Sequence, residues 1–361
     1  MTIRKKDYMP ILKWRMGEYQ ALLRLSDAQK ERVVPLIEVT KPDFDFETQQ
    51  PKKTVDEHFE KFAARLHQKW GDRRALLDAG LLEPSVRMAN GVHPVIFLHS
   101  QAASKGCHPV PVTALGRDAQ YQAAVRAVDQ RFKTGAALRL KLEEILDPDF
   151  EVNVTSLLQV LGCELSTTDI VLDLEDPNFD PIANLVALVT LALSSSAFFQ
   201  SARSLTIAGT SFPDSMGKVQ SGAEIWPRRE WELYNLLISQ PNPQFRIPAF
   251  GDYTSSHNSL FEGDMRLIKP SATIRYAIHD AWLIVKGNNV RDYGFAQYRG
   301  LCSAILSSGH FLGAAFSEGS KYIYDCSNNN EGTGSMTTWK RVGVGQHIAK
   351  AVSDLASVYG P

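Results

Sequence analysis

Residues 169–177, DIVLDLEDP, constrain the fold of this chain more than any other stretch. Ile170, Val171, Leu172 and Leu174 form an aliphatic run of the kind that parallel sheets bury on both faces. The run ends in acids and a proline. On a pleated strand Asp173 and Glu175 share a face, and Pro177 stops the pairing. The same phrase recurs along the sequence: a short apolar run, a charged tip, then a segment of helical periodicity. Strands are expected at 8–14, 33–39, 75–78, 93–98, 136–142, 170–174, 205–208 and 245–250, with 110–115 either a strand or the loop before a helix at 118–132. Helices are expected to start at Gly17 and to span 55–70, 154–161, 181–199 and 229–239.

Strand and helix thus alternate about eight times over roughly 250 residues, which fits an α/β fold of the (β/α)8, TIM-like barrel type over residues 1–252. An open doubly wound sheet is the alternative. Beyond Asp252 the rhythm changes. A hairpin at 272–278 and 281–285 turns at His279-Asp280, a helix follows at 293–306, short strands at 311–316 and 321–324, and a last helix at 346–355. Residues 253–361 therefore read as an α+β appendage packed on the barrel mouth.

Composition narrows the function classes. A formal charge of −1 gives no global field for nucleic acid or a membrane surface, although a local basic patch leaves nucleic acid open. Cys107, Cys163, Cys302 and Cys326 are far apart and form no CxxC pair, so neither a zinc site nor a disulfide framework is indicated, and a reducing cytoplasm is expected. The longest apolar region, 182–199, is interrupted by Asn184, Thr190 and serines and reads as a buried helix, not a membrane span.

In a barrel, side chains at the carboxyl ends of the strands line the ligand site. Period-two phasing puts Lys13 and Arg15 there from the first strand, then Glu38, Asp78, Arg139 with Lys141, Asp173 with Glu175, Thr210 and Asp252. Glu38, Asp78, Asp173, Glu175 and Asp252 are the candidate catalytic acids. Lys13, Arg15, Arg139, Lys141 and Thr210 are the candidate anion ligands, with the backbone of Gly209-Thr210-Ser211 assisting. Arg139 and Lys141 could equally pair with Asp173 and Glu175 across neighbouring strands, with no catalytic content. A second patch, Arg275, Tyr276, Trp339, Lys340, Arg341 and His347, interleaves aromatic and basic groups as nucleotide sites do, or else its aromatics are core. No metal-ligand spacing, P-loop, GxSxG, HExxH or Rossmann fingerprint occurs, and no cofactor is indicated.

The segments YMPILKWRMGEYQALLRL, VVPLIEVT and KKTVDEHFEKFAARLHQKWG, with LLDAGLL, VLDLED and TTWKRVG, resemble the beta protein family. The resemblance implies a protein of prophages and mobile elements, part of an antiphage-defence locus, that counteracts a toxin encoded beside it. It carries over no catalytic residues. Two readings follow: a binder that restrains a toxic partner and senses a phosphorylated small molecule in the barrel mouth, or a hydrolase or phosphodiesterase acting on a nucleotide-like phosphate ester.

Overall fold

The computed structural model describes residues 2–240, 244–259, 263–264 and 266–360. Eight parallel strands close into a barrel: β1 (Tyr8–Lys13), β2 (Leu36–Glu38), β3 (Leu76–Asp78), β4 (Val110–Thr113), β5 (Ala136–Leu140), β6 (Thr168–Asp173), β7 (Ser204–Gly209) and β8 (Ala249–Asp252). Each pairs with its neighbours in chain order, and β8 returns to β1 with Tyr8 opposite Phe250. The fold is an α/β barrel; the open sheet is ruled out by this closure.

The interior is packed, not hollow. Met9, Ile11, Leu36, Leu76, Val110, Val112 and Val171 fill it against the smaller Ala137, Ala208 and Ala249. Gly251 lets β1, β7 and β8 converge, since a Cβ there would stand 2.8 Å from Met9 O and 3.2 Å from Ala208 Cβ. At the amino end of the strands Asp169 is enclosed by Arg74, Arg203 (2.7 Å) and Ser204 (2.6 Å), which satisfies a carboxylate that would otherwise be buried unpaired.

Two expected strands prove helical. Residues 93–98 open the helix Pro94–Ala103, because His93 caps it through Nδ1 on Val95 N and Pro94 occupies the first turn. Residues 321–324 lie inside the helix Glu318–Ser327, and 311–316 form no strand. The fourth barrel strand is instead the one left open at 110–115. The uncharged helix Ile182–Ser194 is covered on one side only, with Leu188 and Leu191 exposed.

The hairpin is present as β9 (Ser271–Ala277) and β10 (Ala281–Asn289), and the strand Gly222–Pro227, from the segment between β7 and β8, completes its sheet. The last helix runs far beyond 346–355, from Met336 to Tyr359. Val344, Ile348, Ala351 and Leu355 on it belong to the shell of core around the barrel, while Trp339 and Val342 belong to the appendage core. One helix therefore serves both units. No helix among the described residues is long and apolar enough to cross a membrane.

Candidate functional site

Arg139 is the hub of the barrel mouth. It sits one residue from the end of β5, and its guanidinium reaches across the opening. Nε donates to Asp173 (2.7 Å), Nη1 to Glu38 (2.8 Å) and Asp78 (2.9 Å), and Nη2 to Tyr253 Oη (2.8 Å). Tyr253 in turn donates to Asp173 (2.6 Å). Burial opposes the arginine's charge, but Asp173, Tyr253, Glu38 and Asp78 more than offset it and raise its pKa well above the ordinary value. Around this hub Lys13 Nζ lies 3.6 Å from Glu38, and Arg117 lies 3.4 Å from Asp78.

Local structure places each of these groups. Asp118 caps the helix Ala119–Phe132 through the amides of Gln120 and Tyr121. That fixes Tyr121, whose hydroxyl touches Asp78, Val112 O and Ala79 N. Asp173 Oδ1 accepts from Glu175 N at 2.9 Å, and Glu175 turns into the left-handed region with φ 56°.

That turn removes Glu175 from the ring. Phasing by two fails where the strand ends, so Glu175 pairs with Lys141 on the exposed rim, 3.2 Å apart. Arg15 also stays outside, half exposed and 3.8 Å from Asp43. Asp252 is a register error of one residue. Tyr8 and Phe250 face the outer core, and Asp252 shares their face; Ala249 and Tyr253 face inward. Asp252 instead lies between the barrel and the last helix, bonded to Tyr8 Oη (2.5 Å) and His347 Nε2 (2.7 Å). Tyr253, absent from the sequence reading, is the residue that enters the mouth.

The backbone after β7 is not free to hold phosphate. Thr210 N donates to Glu175 O, Ser211 N to Glu230 and Phe212 N to Thr210 Oγ1, while the Thr210 hydroxyl holds Ser256 O. The second patch separates into four places. Trp339 stacks on Tyr298 at 4.3 Å in the appendage core, with Tyr276 buried in the same cluster. Arg341 turns to Glu318 (3.2 Å) and Tyr322, and His347 is sealed against Asp252. Arg275 and Lys340 turn toward the barrel mouth, on the loop that follows β8.

Beside the hub opens a groove of about 1410 Å³, bordered by the loops after β2, β3 and β4. A two-stranded flap, Phe44–Asp45 with Gln50–Pro51, forms one wall, and Arg117 and Tyr121 connect the groove to Asp78. Among the described residues, cations and carboxylates line it in equal number, with Phe44 and Phe46 between them. No group of three or more His, Cys, Asp or Glu among the described residues is placed to hold a metal ion.

The family described as Beta protein matches residues 8–353. No curated protein matches. Among solved structures, triosephosphate isomerase from Bartonella henselae is similar, at 12% identity and a TM-score of 0.34, over 68% of this chain and 91% of that one.

Proposed function

Because the chain belongs to the beta protein family, we propose that it works by binding: a cytoplasmic component of a mobile-element antiphage-defence locus that restrains a toxic partner and senses a phosphorylated small molecule at its barrel mouth. The observation behind this reading is the state of the strand-tip charges. Arg139 spans Glu38, Asp78 and Asp173 at once, so every acid converging on the mouth already has a cationic partner. General acid–base chemistry needs a carboxyl or imidazole free to meet the substrate's proton, whereas recognition needs only fixed donors and acceptors beside a groove. The test is co-expression with the neighbouring gene product, followed by size-exclusion chromatography of the pair at micromolar concentration. Co-elution is expected, and two separate peaks contradict direct restraint.

One observation favours hydrolysis of a nucleotide-like phosphate ester as the second reading. Glu38 Oε2 is buried, has no hydrogen bond, and faces Lys13 Nζ at 3.6 Å, an acceptor still available to a water or substrate hydroxyl. If that reading holds, purified protein cleaves a phosphodiester such as bis(p-nitrophenyl) phosphate, and Glu38→Gln lowers the rate by about 100-fold or more. Absence of turnover in the wild type leaves the binding reading alone.

A further inference from the structure

Three cations from three separate elements grip one short loop, the residues from Tyr253 to Asn258 that follow β8. Lys13, at the end of β1, donates to Asn258 O (2.8 Å) and His257 O (3.3 Å). Lys340, near the start of the last helix, bonds Ser256 Oγ. Arg275, on β9, donates through Nη1 to Ser255 O (3.0 Å), with its guanidinium 5.2 Å from the centre of the Phe212 ring.

The counter-charges do not match. Glu38 is divided between Lys13 and Arg139, and Glu18 serves Lys340 at 3.2 Å. Arg275 has no carboxylate within 4 Å among the described residues, and its single hydrogen bond leaves most of a five-donor fork unused. Arg275 is only partly buried, and its planar fork is matched to phosphate oxygens. Burial pushes Lys340 down to about 8, with the neighbouring Arg275 and Lys13 adding to it against the pull of Glu18.

A spare polar group lies near the arginine. Gly343, on the last helix three residues after Lys340, brings that helix close to the loop: a Cβ there would be in ordinary contact with Ser255 Oγ and the carbonyl oxygen of Arg275, both at 3.4 Å. Ser255 Oγ is fully buried with no hydrogen-bond partner. A buried hydroxyl left unmatched is the exception in folded proteins, and a bound oxyanion would accept from it. Solvent reaches the site through Lys340, whose side chain is about one quarter exposed, 26%.

We infer that Arg275, with Lys340 and Lys13 behind it and Ser255 Oγ beside it, is the seat for a phosphate group of a small phosphorylated ligand. This rests on the sensing role proposed above and names its residues. Because the seat lies on the joint between β1, the loop after β8 and the appendage, an occupied seat ties the appendage to the barrel mouth through the ligand.

The experiment is calorimetric titration of the full chain with ADP, inorganic pyrophosphate and adenosine. The expected result is binding of ADP and pyrophosphate but not adenosine, about 10-fold or more weaker in Arg275→Gln and unchanged in Arg341→Gln, which faces Glu318. Should Arg275→Gln fail to fold, the wild type carries the test alone, since its ADP affinity must fall as pH rises past about 8 and Lys340 discharges. Wild-type protein that ignores both phosphates at about 1 mM, or an Arg275→Gln variant that binds as the wild type does, overturns the seat. ADP without pyrophosphate assigns it to a nucleoside phosphate; both together assign it to the phosphate alone. Co-elution of Arg275→Gln with the toxic partner, with ADP binding lost, separates the seat from the restraining role.

Discussion

His99 is enclosed in the helix Pro94–Ala103, with Nδ1 2.8 Å from Val95 O and Nε2 facing no partner. Burial depresses its pKa from 6.5 to about 4, while the bond to Val95 O pulls weakly the other way. The unfolded chain therefore takes up a proton below pH 6.5 that the native state refuses, and stability is full above 6.5 and lost as pH falls toward 4. The shift corresponds to about 3 kcal/mol. Urea unfolding of the wild type at pH 7.5 and 4.5 is expected to show this loss, and His99→Gln to recover most of it; an equal loss in the variant would place the acid sensitivity elsewhere. His347 is lowered in the same direction, by burial first, and its bond to Asp252 works against that. The same residue scale explains what the sequence could and could not reveal of the mouth. Lys13, Glu38, Asp78, Arg139 and Asp173 were legible because each sits on a regular strand where alternation holds. Tyr253 was not: its strand reads AFGDY, and only the knowledge that Phe250 packs outward shifts the inward set to Ala249, Gly251 and Tyr253.

At the scale of elements, the last helix is the joint between barrel and appendage. It lies across the helix Met16–Leu23, and Gly17 makes the crossing close: a Cβ there would stand 2.7 Å from Lys340 Cγ and 3.2 Å from Thr337 O. Gly17→Ala is expected to cost about 1–3 kcal/mol in urea unfolding through this overlap, whereas an exposed helical glycine replaced by alanine gains stability. A gain at Gly17 would mean that the two helices do not cross there. Removal of residues 336–361 is expected to leave a chain without a cooperative unfolding transition, because Val344, Ile348, Ala351 and Leu355 cover the outside of the barrel. A truncated chain that still melts sharply would contradict that role. The expected boundary at Asp252 hides this return, since periodicity shows that a segment is a helix but not which core it covers. Likewise Pro94 opens a helix in 93–98 although its apolar run is strand-like, a case where capping outweighs β-branched character.

On the scale of the whole molecule, eight strand ends, the flap and the appendage meet at one opening, and the charges that gather there are mostly spent on each other. Arg139 is 14% exposed at its side chain and the acids it holds are 3–4% exposed, so the network is interior, not rim. Such a network contributes geometry more than net stability: removing one member strands the others in a low-dielectric site, while removing matched partners together costs less. It follows that the mouth is set rigidly under the groove. The most direct measurement of this claim is a double-mutant cycle in urea unfolding with Arg139→Met, Asp173→Asn and the pair. The account predicts that Arg139→Met alone costs about 3–5 kcal/mol and that the pair is coupled by about 1–3 kcal/mol. Additive effects, with Arg139→Met costing less than about 1 kcal/mol, would contradict it.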